Sequence, residues 1–248
     1  MKFEKFSLES DDITLSGTIT KPESNNRPLN LMVICHGIPS QEGKSLTVEE
    51  KGYVKISEVF TSNGFLSVVF NFQGCKGSSG KYSPINWVNN LNSIITFMHS
   101  KHDILKTFVL SFSGGAMISV KTTAENPLID YLITCACPSD LDADKNFIFL
   151  LREGLLAQFS EQNLDKDRLL KELNSINPLN WVDKISPREI LILHGKKDDL
   201  IPYTHSEKLH EKAKNPKSIY IFDGFGHKLR KESEVIDFVL NWLEKKVN

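Results

Sequence analysis

The sequence has almost no excess charge, few cysteines and no long apolar run. Thirty Lys and Arg stand against 31 Asp and Glu, a formal net charge of -1 over 248 residues. A protein that grips phosphate chains needs an excess of clustered cations, so nucleic acid is not an expected partner. Short basic runs such as Lys196-Lys197 and Lys228 to Lys231 read as solvated faces. No stretch approaches the roughly 18 uninterrupted apolar residues that suggest a membrane span. The opening "MKFEKFSLESDD" also lacks the apolar block of a secretory signal, and the expectation is a cytoplasmic protein. Cys35, Cys135 and Cys137 fall inside strand-like apolar runs rather than in the loop framework of a small secreted domain. Two apart on one expected strand, Cys135 and Cys137 would share a face, yet no second pair or nearby His completes a metal site. The cysteines are therefore expected as buried free thiols, with neither metal nor cofactor.

What is present is an ordinary globular composition, 40% hydrophobic and 25% charged. The length suits one α/β domain carrying an insertion. Two short strands, "KFSLES" and "ITLSGTIT", open the chain around an Asp-Asp turn. After the polar "PESNNRP" loop come continuous apolar runs, "LNLMVICHG", "FLSVVFNF", "KTFVLSFS", "YLITCACP", "EILILHG" and "SIYIFD", each of the kind buried on both sheet faces. Helical spacing separates them over about 52–63, 85–100, 114–124, 203–213 and 232–245. Strand and helix in alternation predict an α/β fold with a mostly parallel, eight-stranded sheet covered by helices on both sides. Residues 139–186 break the alternation with two helical patterns, "NFIFLLREGLLAQF" and "DKDRLLKELNSI", and read as a helical cap inserted in the single domain.

Three short segments carry the chemistry. In "VLSFSGGA" a strand runs into Ser113, and Gly114 and Gly115 permit a sharp turn into a helix, lifting Ser113 above the sheet edge. This "SFSGG" resembles the Gly-x-Ser-x-Gly nucleophile elbow of the α/β-hydrolase superfamily, with Ser111 in the first glycine's place. "HGKKDDLIP" resembles the superfamily's His-Gly-x-x-Asp segment, which implies Asp198 rather than Asp199 as the triad acid. His194 in the same segment reads as a turn residue bonded to backbone. "FDGFGHKL" resembles the terminal Gly-x-Gly-His segment and implies His227 as the base, its glycines leaving room for a tight loop. The order Ser, Asp, His on successive strand ends is the order of that fold.

The resemblance extends over nearly the whole chain outside the insertion, and it implies a serine hydrolase that needs no cofactor. "CHGIPS" resembles the superfamily's His-Gly oxyanion loop. Pro39 has no N–H, so Ile38 and Gly114 are the expected oxyanion donors, with His36 organising the loop. The glycine-rich "NFQGCKGSSGKY" fits neither the P-loop nor the dinucleotide spacing and reads as packing under the site. The expected activity is cleavage of small-molecule carboxylic esters of small or medium acyl groups through an acyl-enzyme. A serine peptidase or aminopeptidase, using Glu153 or Glu161 to hold an amine, is the alternative within catalysis. A non-catalytic small-molecule binding protein is the alternative of another class. The apolar residues of the insertion either line an acyl pocket or simply pack it onto the sheet. The base must be neutral, so activity should fall as pH drops through an ordinary imidazole value of about 6.5. In ester-hydrolysis assays Ser111→Gly is expected to leave most of the turnover, whereas Ser113→Ala lowers it by roughly 10⁶.

Overall fold

The computed structural model describes residues 1–10, 12–23, 28–40, 46–139, 141 and 145–247, with the side chains of 145–147 left aside. Asp11 of the expected turn, 24–27 of the polar loop, and 140 and 142–144 of the expected insertion lie outside the described residues. Eight strands form one sheet: β1 (Lys2–Ser10), β2 (Ile13–Lys21), β3 (Leu29–Cys35), β4 (Leu66–Phe70), β5 (Ile104–Phe112), β6 (Tyr131–Cys135), β7 (Glu189–Gly195) and β8 (Lys217–Phe222). Their order is β1-β2-β4-β3-β5-β6-β7-β8. Only the β1–β2 and β2–β4 pairings are antiparallel; the others run parallel. Strand order reverses after β3, so the carboxyl ends of β3 and β5 lie side by side where a crevice forms in open α/β sheets.

The apolar runs sort by strand periodicity onto two faces. Leu31, Val33 and Cys35 join one core with α2 (Pro84–Lys101), α3 (Gly114–Glu125) and α6 (Thr204–Lys212). Met32 and Ile34 join the other with α1 (Tyr53–Ser62) and α7 (Ser233–Val247). Helix α3 is buried without a break from Gly114 to Thr123. Even Lys121 on it is covered, its ammonium 2.6 Å from Glu125 and 3.3 Å above the Trp181 ring centre. Side-chain caps fix two helix starts: Ser83 caps α2 ahead of Pro84, and Asp165 caps the helix that follows it.

Between β6 and β7 the chain forms α4 (Lys145–Gln158) and α5 (Lys166–Ser175) and no strand among the described residues. This connection is fastened to the glycine-rich loop. The Gln162 carboxamide accepts from Tyr82 N at 2.5 Å and donates to Gly74 O at 2.7 Å. Phe159 stacks on Tyr82 at 4.4 Å, and Ser83 Oγ donates to Glu172. A cleft of about 390 Å³ runs along this seam beside Lys81, Asn86 and Arg168; Ser113 does not line it.

Two sequence expectations change here. Cys135 and Cys137 do not share a face: Ala136 adopts φ 53° just beyond β6, breaking the alternation, and the two thiols enter opposite cores. Both, like Cys35 and Cys75, are buried and free, and burial pushes all four thiols up, Cys35 to about 12. Strand β1 also starts at Lys2, earlier than its alternation suggests, because it pairs with β2 along its whole length. Among the described residues no helix is long and apolar enough to cross a membrane.

Trp87 ties these layers together. It is 1% exposed, stacks on Phe72 at 4.3 Å, and donates from its indole to Gln73 O. Trp87→Ala is expected to destabilise the protein by about 3–5 kcal/mol in urea unfolding, through the cavity and the orphaned carbonyl.

Candidate active site

At the end of β5 the backbone of Ser113 takes φ 51°, ψ −126°, a conformation that a residue with a Cβ rarely adopts. Two hydrogen bonds hold it there: Ser113 N donates to Cys135 O on β6, and Ala116 N donates to Ser113 O, both at 2.8 Å. The turn sets the hydroxyl at the head of α3, whose first N–H groups have no carbonyl of their own helix to meet. Ser111 is fully buried two residues earlier and donates to Ile133 O on β6 at 3.1 Å. A serine in the first glycine's place thus fits the strand and supplies one more cross-strand bond.

His227 and Asp198 converge on this hydroxyl. His227 Nε2 lies 3.0 Å from Ser113 Oγ, and His227 Nδ1 lies 2.8 Å from Asp198 Oδ2. A carboxylate only accepts, so Nδ1 carries the proton and Nε2 is left as the acceptor for Ser113. Asp198 has a fully buried side chain, while Asp199 beside it is exposed. Its Oδ1 accepts from Leu200 N at 3.0 Å and Ile201 N at 2.8 Å. Burial alone would raise this carboxyl. Hydrogen bonds from His194, His227 and Ile201 N–H, with the charge of His227, outweigh that and hold it well below the usual carboxylate range.

The close approach that brings His227 in is made at Gly195. A Cβ there would sit 2.3 Å from Phe225 O, and Lys197 N donates to that same oxygen at 2.9 Å. Gly224 and Gly226, expected to make the loop tight, are not in the left-handed region and have no backbone atom within 3.4 Å of where a Cβ would stand.

The loop after β3 packs on the head of α3. A Cβ on Gly115 would lie 2.2 Å from His36 O, so only glycine lets the two backbones meet. Ile38 N lies 3.5 Å from where a Cβ of Gly114 would be, which sets the two expected oxyanion donors beside each other. His36 fixes the loop between them. Phe72 N donates to its Nε2 at 3.1 Å, so its Nδ1 bears the proton and donates to Gly37 O at 2.6 Å. Because the peptide is planar and trans, turning the Gly37 carbonyl toward His36 turns the Ile38 N–H the opposite way. The imidazole is sealed by Tyr53, Phe72 and Trp87. Burial pushes it down to about 3, against the Gly37 carbonyl and with the Lys51 charge.

The remaining sequence candidates have other partners or lie exposed. Glu153 is engaged by Arg152 at 2.8 Å, and Glu161 is exposed on the turn Ser160–Gln162. His99 bonds Thr107, and the buried His205 accepts from Ser139 N. The glycine-rich loop directs its polar groups to β2 and α2: Ser78 and Ser79 hydroxyls accept from Ser16 N and Thr14 N, and Gln73 N donates to Asn90. Sequence reasoning missed His194. It does bond backbone, Ile201 O at 2.9 Å, but the same Nε2 stands 3.1 Å from Asp198 Oδ2. Its position four residues before the acid was the available signal.

Comparison with known proteins agrees with this architecture. The BD-FAE family model matches residues 119–213, a stretch holding Asp198 but neither Ser113 nor His227. GrgF, an α/β hydrolase from Penicillium sp. sh18, superposes with a TM-score of 0.78 at 15% identity, covering 99% of each chain. Est1E from Butyrivibrio proteoclasticus, solved with ferulic acid bound, gives 0.74 at 21% identity over 95% of this chain and 98% of its own. The chain thus has the α/β-hydrolase fold. In sequence it is 36% identical over 187 residues to the uncharacterized protein YfhR of Escherichia coli (strain K12), which is 71% of this chain and 60% of that protein. The chain spans about half to two thirds of the length of the curated relatives it matches.

The neutral, buried His36 gives a stability test with a definite sign. An unfolded imidazole binds a proton below about 6.5, whereas the folded one binds only near 3, so stability falls as pH falls through that window. His36→Gln should lower the melting temperature at pH 7 yet flatten its decline between pH 7 and 4, as followed by circular dichroism.

Proposed function

We propose that the protein is a serine hydrolase that cleaves carboxylic esters of small or medium acyl groups through an acyl-enzyme. The observation that carries this reading is the continuous hydrogen-bonded line Ser113–His227–Asp198 beginning at a strained elbow. As Ser113 Oγ attacks the carbonyl, His227 Nε2 takes its proton and later returns it to the leaving alcohol. Asp198 keeps the imidazole in the Nδ1–H tautomer and faces the imidazolium as it forms. The tetrahedral oxyanion sits between the N–H groups of Ile38 and Gly114, where the head of α3 also favours negative charge. Water on the same imidazole then releases the acid.

Binding alone gives no reason to align a hydroxyl, an imidazole and a carboxylate, which weighs against a receptor. Glu153 is already engaged by Arg152, so this carboxylate gives no support to an aminopeptidase. The β6–β7 connection serves in this reading as a helical cap over residues 139–186. Its α4 reaches the oxyanion loop, Gln158 Nε2 donating to Ser40 O at 3.3 Å, and its Leu155 and Phe159 share a core with Ile38. The fold neighbour Est1E, which binds ferulic acid, makes a hydroxycinnamate ester a natural member of any substrate panel.

A fluorophosphonate probe should label wild-type protein at Ser113, as read by peptide mass spectrometry, and should not label Ser113→Ala. Nitrophenyl esters of increasing chain length, a hydroxycinnamate ester and aminoacyl anilides then separate the classes. Turnover of anilides above all esters would overturn the esterase reading, and absence of label would overturn the serine mechanism.

A further inference from the structure

His194 is the penultimate residue of β7 and is fully buried, as is Ser206 on α6. Its Nε2 faces two acceptors, Asp198 Oδ2 at 3.1 Å and Ile201 O at 2.9 Å, so Nε2 carries a proton and donates. Its Nδ1 lies 2.7 Å from Ser206 Oγ. With the proton on Nε2, the hydroxyl donates to Nδ1 and so favours the tautomer that presents Nε2–H to the carboxylate. Each oxygen of Asp198 therefore meets two donors: Oδ1 the N–H groups of Leu200 and Ile201, and Oδ2 the rings of His194 and His227.

Resting on the serine-hydrolase reading, we propose that His194, held by Ser206, is a positioning residue that fixes the triad carboxylate and tunes its hold on His227. The physical case has two parts. Asp198 stands in a loop beyond β7, whereas His194 belongs to the strand itself, paired through the register His194 to Ile221 with β8. A donor on the sheet thus locks a loop carboxylate at the orientation His227 needs. The second part is electrostatic. Oδ2 divides its negative charge between two imidazoles, and in a buried site each bond weakens or strengthens the other. Without His194 the carboxylate would bind the His227 imidazolium more tightly but would be less firmly aimed.

The test compares His194→Leu, His194→Gln and Ser206→Ala with wild type. Loss of a hydrogen bond to a charged group predicts a fall of roughly ten- to a hundredfold in the fluorophosphonate labelling rate of His194→Leu. The acid limb of its pH profile should move to higher pH. Gln, whose amide N–H reaches the same oxygen, should recover most of the rate. Ser206→Ala, which leaves the ring in place, should move the acid limb in the same direction by a smaller amount, and it decides the matter if His194→Leu does not fold. The downfield proton resonance of the His227–Asp198 bond should shift in the same variants, a readout that needs no catalysis. Folded His194→Leu or Ser206→Ala with wild-type rate, acid limb and resonance would overturn the proposal. Failure of wild-type Ser113 to label, with the resonance still moving on His194 substitution, would instead remove the hydrolase reading and leave the positioning role standing.

Discussion

The arrangement depends on one strained residue. Ser113 holds a backbone conformation of a kind that costs about 1–3 kcal/mol for an L residue, and its neighbours leave it no alternative. Below it Cys135 O takes its N–H, ahead of it α3 begins at once, and beside it the His36–Ile38 loop is pressed against Gly115. The same turn that aims the hydroxyl outward starts the helix whose N-terminal amides face it. Relaxing the elbow would therefore misplace the proposed nucleophile and the proposed oxyanion donors together.

Around that elbow Ser113, Asp198, His227 and His36 each have hydrogen-bond partners. Two histidines beside the elbow do opposite jobs. His36 is neutral, sealed among aromatics, and sets one peptide plane. His227 is partly open to solvent and bonded to a carboxylate held well below the usual carboxylate range by its hydrogen bonds. The difference lies in what each Nδ1 proton meets: a backbone carbonyl in one, a charged oxygen in the other.

The sheet was legible because its strands are buried on both faces and therefore apolar without interruption, as in "LNLMVIC" and "EILILHG". Helices α1, α2, α3, α6 and α7 and the two helices between β6 and β7 fall within a residue or two of their apolar patterns. Ser113, Asp198 and His227 were legible because each follows a strand within a short, glycine-marked turn. What escaped were relations rather than residues. Nothing local to "CACP" announces that Ala136 turns left-handed, and nothing in "GFG" says that the tight contact falls on Gly195 instead. His194 read as a turn histidine because its second partner, Asp198, lies four residues on in the loop after the strand, and that spacing does not reveal which way two side chains point. The Ser111 bond to Ile133 likewise depends on strand register, which a single sequence leaves undefined.

The Gln162 carboxamide, wedged between the amide of Tyr82 and the carbonyl of Gly74, gives and receives at once. That makes the attachment of the β6–β7 connection sensitive to chemistry rather than to bulk. A glutamate would fill the same volume, accept from Tyr82 and confront the Gly74 oxygen with negative charge. Slow hydrolysis of this one amide in an ageing molecule would therefore loosen the seam without altering its shape.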